Sequence, residues 1–158
     1  MVRLTDLSAA EREHHLKRVA MLPAFTGRPW VRGPALAQRR IAVVTTAGLH
    51  LRGDRPFDSA GGGIDYRVIP ADTAPAELVM SHLSVNFDRS GFQSDANLVF
   101  PLQRLRELVR ENIIGTLAAF HYSFMGAIAQ VTRYEAKARE LAGLLKQDRV
   151  DAVLLTPV

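Results

Sequence analysis

The chain has 158 residues, 47% hydrophobic and 23% charged, which is enough for one domain with a real core and ordinary for a globular rather than a disordered protein. Twenty Lys and Arg against 16 Asp and Glu leave a mild +4, scattered apart from Arg39 and Arg40 and with few interleaved aromatics; this speaks against nucleic acid and suits an anionic small molecule or an acidic partner. No cysteine is present, which excludes disulfides, thiolate metal sites and a resident thiol redox couple.

The N-terminal stretch MVRLTDLSAAEREHHLKRVAML is charged throughout and lacks the apolar segment of a signal peptide, which predicts a cytoplasmic protein. Ser8, three residues before Glu11, has the spacing of a capping box and predicts a helix to about Leu22, stopped by Pro23, with His14 and His15 in water. FTGRPWVRGP follows as a loop in which Trp30 reads as local packing. Ile41 to Val44 form an apolar strand, and Thr45 to His50 the turn at its carboxyl end, where small residues let a ligand approach the backbone. Gly61 to Gly63 lack dinucleotide-loop spacing and read as a flexible loop.

DYRVIP reads as a second strand ending at Pro70, and AELVMSHLSVNF as a third extended segment. Asp95 and Asn97 are placed to cap the helix that Pro101 starts, whose Leu102, Leu105, Leu108 and Val109 share one face. Residues 113–132 carry no Asp, Glu, Lys or Arg over the length of a membrane span, but His121, Tyr122, Ser123 and Gln130 would be costly in hydrocarbon, so no span is expected. A last helix is predicted from Phe124 to Gln147, with Phe124, Ile128, Val131, Ala138, Leu141 and Leu145 inward and Arg133, Lys137, Glu140 and Lys146 toward water. In DAVLLTPV, Val153 to Leu155 have the composition of a buried parallel strand, from which Thr156 and Pro157 turn out.

Strand, helix and strand in this order predict a single α/β domain, layered, with a largely parallel sheet of Rossmann-like or flavodoxin-like kind. VVTTAGLH and VLLTPV both end in Thr and turn residues; as parallel neighbours their exits would line one crevice, the place where open α/β sheets bind ligands. Thr45, Thr46, Gly48, His50 and Thr156 are the candidate pocket there, joined by His82 and His121. Taken singly, each of these three histidines is better read as a satisfied structural one. Their spacing matches no zinc template, no metal site is expected, and no Gly-x-Ser-x-Gly elbow occurs.

The ordered blocks VVTTAGLHLRGDRPFD, YRVIPADT, Ser81–His82, DANLVFPLQRLREL, GTLAAFHYSFMG and DAVLLTPV resemble the selenoprotein B family of glycine, sarcosine and betaine reductases, including the selenocysteine-bearing subunit of D-proline reductase. The resemblance runs from about Ile41 to Val158, with residues 1–40 as a separate N-terminal helix and loop. It implies a selenocysteine or cysteine nucleophile directly after the DAVLLTPV strand, hence a chain ended at a UGA codon, forming the N-terminal part of a longer subunit whose fold is incomplete at its C-terminus. It also implies reductive C–N cleavage of an amino-acid-like substrate, a thiol electron donor, a pyruvoyl group on a partner subunit rather than a cofactor in this chain, and an oligomeric assembly. The alternative is a non-catalytic small-molecule-binding or structural domain, because these residues include neither thiol nor selenol.

Overall fold

The computed structural model describes residues 3–24, 27, 29–57, 63–84, 87, 89–127 and 130–158. Its organiser is β1 (Arg40–Thr45), which pairs in parallel with β5 (Thr116–Leu117), β6 (Phe120–Ser123) and β7 (Ala152–Thr156). β7 runs along β1 without a break, from Ile41 opposite Ala152 to Thr45 opposite Thr156. β5 and β6 therefore share the other edge, and β3 (Arg67–Pro70) pairs antiparallel beyond β6. A separate antiparallel ribbon joins β2 (Leu49–Leu51) to β4 (Leu78–Met80).

Adjacent strand residues point to opposite faces, and the two faces of β1 serve two apolar clusters. Ile41 and Val43 pack with Phe100, Leu102 and Leu105, at the start of α3 (Leu102–Arg110), which follows the short α2 (Ser90–Ser94). Val44 packs on the other face with Tyr122, Phe124 and Leu141, the last from α4 (Glu135–Gln147). The sheet is thus the middle of three layers, a mixed α/β fold with a mostly parallel sheet. The α3 stripe of Leu102, Leu105, Leu108 and Val109 faces inward as its spacing implies.

Between β5 and β6 the register against β1 slips by two residues, because Ile41 faces Leu117 while Val44 faces Tyr122. Such a bulge strips ladder partners from the backbone. Two side chains restore them: His121 Nδ1 accepts the Val43 amide at 3.0 Å, and Asp148 accepts the Ala119 amide at 2.7 Å. Asp148, just past α4, also binds the Arg40 guanidinium, while Asp151 takes the Arg40 amide. Arg39 donates to the Pro34 carbonyl. The Arg39–Arg40 pair is therefore engaged in holding the fold.

Ser8 and Glu11 form the expected capping box of α1 (Ala9–Ala20), and Asp95 and Asn97 cap as expected, the Asn97 carbonyl oxygen accepting the Gln103 amide. Trp30 is not packed at all, being 92% exposed. No residue of α1 is buried. His50 belongs to β2 rather than to a turn. The last helix begins at Glu135, after a 3-10 turn at Val131–Tyr134, because Phe124 and Gly126 donate their amides to Thr45 and Thr46 and so continue the sheet. Of the residues expected inward on the last helix, Leu141 is buried, but Ala138 on α4 and Val131 in the preceding turn are exposed, and Lys137 lies half-buried over the Tyr66 ring; Ile128 is outside the described residues, as are Gly61 and Gly62. Finally, β7 is parallel but not buried: Val153 to Leu155 are exposed, since β7 pairs with β1 alone among the described strands. Among the described residues no helix is long and apolar enough to cross a membrane.

Candidate functional site

The exits of β1 and β7 are clasped by two adjacent threonines. Thr45 is fully buried, donating its hydroxyl to the Thr156 carbonyl at 3.2 Å and accepting the Ala47 amide at 3.1 Å. Thr46 reaches the other way: its Oγ1 accepts the Val158 amide at 2.8 Å and lies 3.3 Å from the Val158 carbonyl oxygen. Thr156 Oγ1 donates to the Val99 carbonyl at 2.9 Å, tying the seam to the segment before α3. A methyl group on Gly126 would sit 2.9 Å from Thr46 Oγ1, so only glycine lets that strand extension close over the hydroxyl.

Gly48 starts the second part of the site. Its φ of +66° favours glycine, and a side chain there would meet the His82 amide nitrogen at 3.0 Å. Its amide donates to the Phe124 carbonyl, and its carbonyl accepts the Ser81 amide at 2.9 Å. This contact brings the β4 exit, with Ser81 and His82, against the β1 exit. Ser81 Oγ is 2.7 Å from His50 Nε2, and His50 Nδ1 is 2.7 Å from the Leu51 carbonyl oxygen.

His82 is nearly buried, with Phe87 at 4.9 Å between ring centroids. Its Nδ1 accepts the Ser84 amide at 3.3 Å, and its Nε2 has no partner. Burial, reinforced by the nearby Arg89, lowers its pKa and keeps the ring neutral. The Nδ1 lone pair being used, the neutral ring carries its proton on the unpaired Nε2.

Thr45, Thr46 and Thr156 thus meet at the strand exits, and Gly48, His50 and His82 meet around Ser81. His121 joins neither group. It lies in the body of the sheet beside Val43, which itself faces Leu154, against the Phe100 ring at 5.9 Å. Burial, with Arg106 and Arg40 adding and Asp148 opposing, lowers its pKa to about 4. Its Nε2 is also unpaired. Ser81 is the participant that sequence reading missed as a site residue: its partner lies 31 positions away, and nothing local marks the pair.

A surface hollow of about 450 Å³ runs elsewhere, along α3, lined by Gln103, Arg104, Arg106, Glu107 and Arg110. It holds no nucleophile, and Glu107 pairs with the arginines on either side. Among the described residues no three His, Asp or Glu side chains gather as a metal site.

Backbone groups, hydroxyls and two imidazoles thus gather at the carboxyl ends of the parallel strands of a mixed α/β fold, the end at which open α/β sheets bind their ligands. Residues 34–158 match the family described as glycine/sarcosine/betaine reductase selenoprotein B, and the chain belongs to that family. It is 36% identical over 122 residues to the D-proline reductase subunit gamma of Acetoanaerobium sticklandii, covering 77% of this chain and 49% of that one. It is 34% identical over 126 residues to the glycine reductase complex component B subunit gamma of Symbiobacterium thermophilum, covering 77% and 29%. To the sarcosine reductase complex component B subunit beta of Peptoclostridium acidaminophilum it is 32% identical over 125 residues, covering 77% and 28%. The chain thus spans about half the length of the first relative and under a third of the other two. No solved structure matches.

Proposed function

We propose that this chain is the substrate-handling α/β part of a subunit in a multi-subunit reductase, which cleaves a C–N bond of an amino-acid-like substrate with a dithiol as final electron donor. The observation that carries the reading is the Thr46–Val158 clasp: β1 and β7 exit together beside Gly48 and two imidazoles, in a family whose relatives are named as components of such complexes. In this reading a selenolate, or a thiolate, follows Val158 at the β7 exit. It attacks the substrate carbon, and the C–N bond breaks with its electron pair going to nitrogen, which takes a proton. A thiol then attacks selenium, the carbon leaves with its electron pair and is protonated, and a dithiol reduces the selenium–sulfur bond.

A selenolate suits both halves, being easily formed near neutral pH and a good leaving group. At this site Gly48 lets the β4 exit pack against the β1 exit, Thr46 fixes the strand end that the nucleophile follows, and the neutral His82 carries the Nε2 proton for a carboxylate. A pyruvoyl group on a partner subunit supplies the electrophilic carbonyl for the substrate amine. Rossmann-like layering, a cytoplasmic location and an oligomeric complex belong to the same reading.

The test is the purified complex containing this chain, assayed with dithiothreitol and, in turn, D-proline, glycine, sarcosine and betaine. Reductive cleavage of at least one is expected; an intact complex that turns over none overturns the reading. The codon after Val158 tests the nucleophile separately: UGA or a cysteine codon is expected, and UAA or UAG overturns its placement.

A further inference from the structure

His50 lies in the middle of β2, and Ser81 directly follows β4, the strand that pairs with β2. A carbonyl oxygen can only accept, so the 2.7 Å contact to Leu51 puts the ring proton on Nδ1. In the neutral form of such a ring Nε2 presents its lone pair, and the Ser81 hydroxyl, 2.7 Å away, is placed to donate into it. A hydroxyl bonded to an imidazole whose far nitrogen is anchored on an acceptor is the arrangement that activates serine as a nucleophile. Here a backbone carbonyl holds the position that a carboxylate takes in the Ser–His–Asp arrangement.

The frame around the pair is fixed. The Ser81 amide is tied to Gly48, and Gly48 to Phe124 at the end of β6. His50 is 3% exposed while Ser81 is half-buried, so the base is shielded and the hydroxyl stands nearer the surface. The fold does not need a hydroxyl at this place merely to satisfy a ring, because His82 and His121 both leave Nε2 unpaired in equally buried settings.

We propose that Ser81 and His50 form a nucleophile–base dyad that accepts small acyl groups from activated esters, an activity separate from the reduction above. Ser81 Oγ bonds to the carbonyl carbon as its proton passes to His50 Nε2. The ester C–O bond breaks, and the leaving oxygen takes that proton. Water, deprotonated by the same imidazole, then releases the carboxylic acid and restores the serine.

A fluorophosphonate, which bonds to an activated serine with loss of fluoride, reads the dyad directly by mass spectrometry. An adduct on Ser81 is expected in the parent chain, none in Ser81→Ala, and a rate at least about tenfold lower in His50→Gln. A parent chain without the adduct, or a folded His50→Gln labelled at the parent rate, overturns the proposal. Should His50→Gln fail to fold, the absence of cysteine supplies a second measurement. Ser81→Cys then places one thiol within residues 1–158, whose alkylation by iodoacetamide at neutral pH, read on its own peptide by mass spectrometry, is expected to be at least about tenfold faster than that of the thiol in the exposed-site variant Ser94→Cys; equal or slower alkylation overturns the proposal.

Discussion

β1 and β7 are built from nearly the same letters, IAVVTT and AVLLTP, and lie side by side in strict register. One is the centre of the sheet and the other its edge. Ala42, Val43 and Thr45 are 0% exposed, whereas Leu155, opposite Val44, is 67% exposed. A run of branched aliphatics therefore specifies a parallel strand but not which neighbours it acquires; β1 is buried because β5, β6 and β7 flank it and α3 and α4 cover its faces. An apolar edge strand is also the surface most prone to pair with another chain.

The two strands should respond most differently to the same added charge. Val43→Lys buries an unpaired ammonium and should cost more than about 4 kcal/mol, while Leu155→Lys should stay within about 0.5 kcal/mol. Urea denaturation measures both; similar losses would mean that β7 is a core strand after all.

Next in size is the pH dependence set by His121, which replaces a backbone partner for β1 alone. Its ring titrates near the ordinary value of 6.5 in the unfolded chain and about 4 in the folded one. Between these values the unfolded state holds the extra proton, so stability present above pH 6.5 is lost as the pH falls toward 4, by up to about 3 kcal/mol. His82, also lowered, acts in the same direction. Asp148 acts lower still: burial disfavours its charge, but hydrogen bonds from Arg40 and Ala119 outweigh this, and its contribution is lost below the ordinary 3.8. Urea midpoints between pH 4 and 7 should fall less steeply in His121→Gln than in the parent, and parallel curves would remove His121 as the cause.

A smaller effect is expected at the clasp between the strands. Thr46→Val removes the hydroxyl bonded to Val158 and should lower stability by about 1 kcal/mol, with Thr46→Ser restoring most of it. Thermal melts decide this, and a Thr46→Ser variant as weak as Thr46→Val would assign the loss to the methyl group instead. The smallest change in folding energy accompanies the clearest change in association: Leu155→Lys should elute later than the parent on size-exclusion chromatography at high concentration. Unchanged elution would show that the β7 edge is not what makes copies associate.

Much of this architecture was legible where the signal is local. The spacing of Ser8 and Glu11, the helical stripe of α3 and the caps at Asp95 and Asn97 each lie within one turn or loop, and each formed as read. That β1 and β7 are parallel neighbours entered the reading only as a condition, which the register from Ile41–Ala152 to Thr45–Thr156 meets. The start of α4 was misread because Phe124, Met125 and Gly126 are apolar or small in either conformation; what keeps them extended is a ladder to Thr45 and Thr46, far away in sequence. The β5–β6 slip and the Ser81–His50 pair were hidden for the same reason. Each depends on a partner that only folding brings near.

The β1–β7 pairing has a consequence for how this chain is made. Arg40 and Asp151 are 111 positions apart, against 78 for Val43 and His121. A ribosome adding about 5–20 residues per second needs between about 6 and 22 s to supply the second strand. Closing the longer loop rather than the shorter adds only about 0.3 kcal/mol of chain entropy, so the cost lies in waiting time. Until β7 emerges, the central strand of the sheet has one side unpaired, and nascent chains stalled within that interval are where chaperone dependence and misassembly should concentrate.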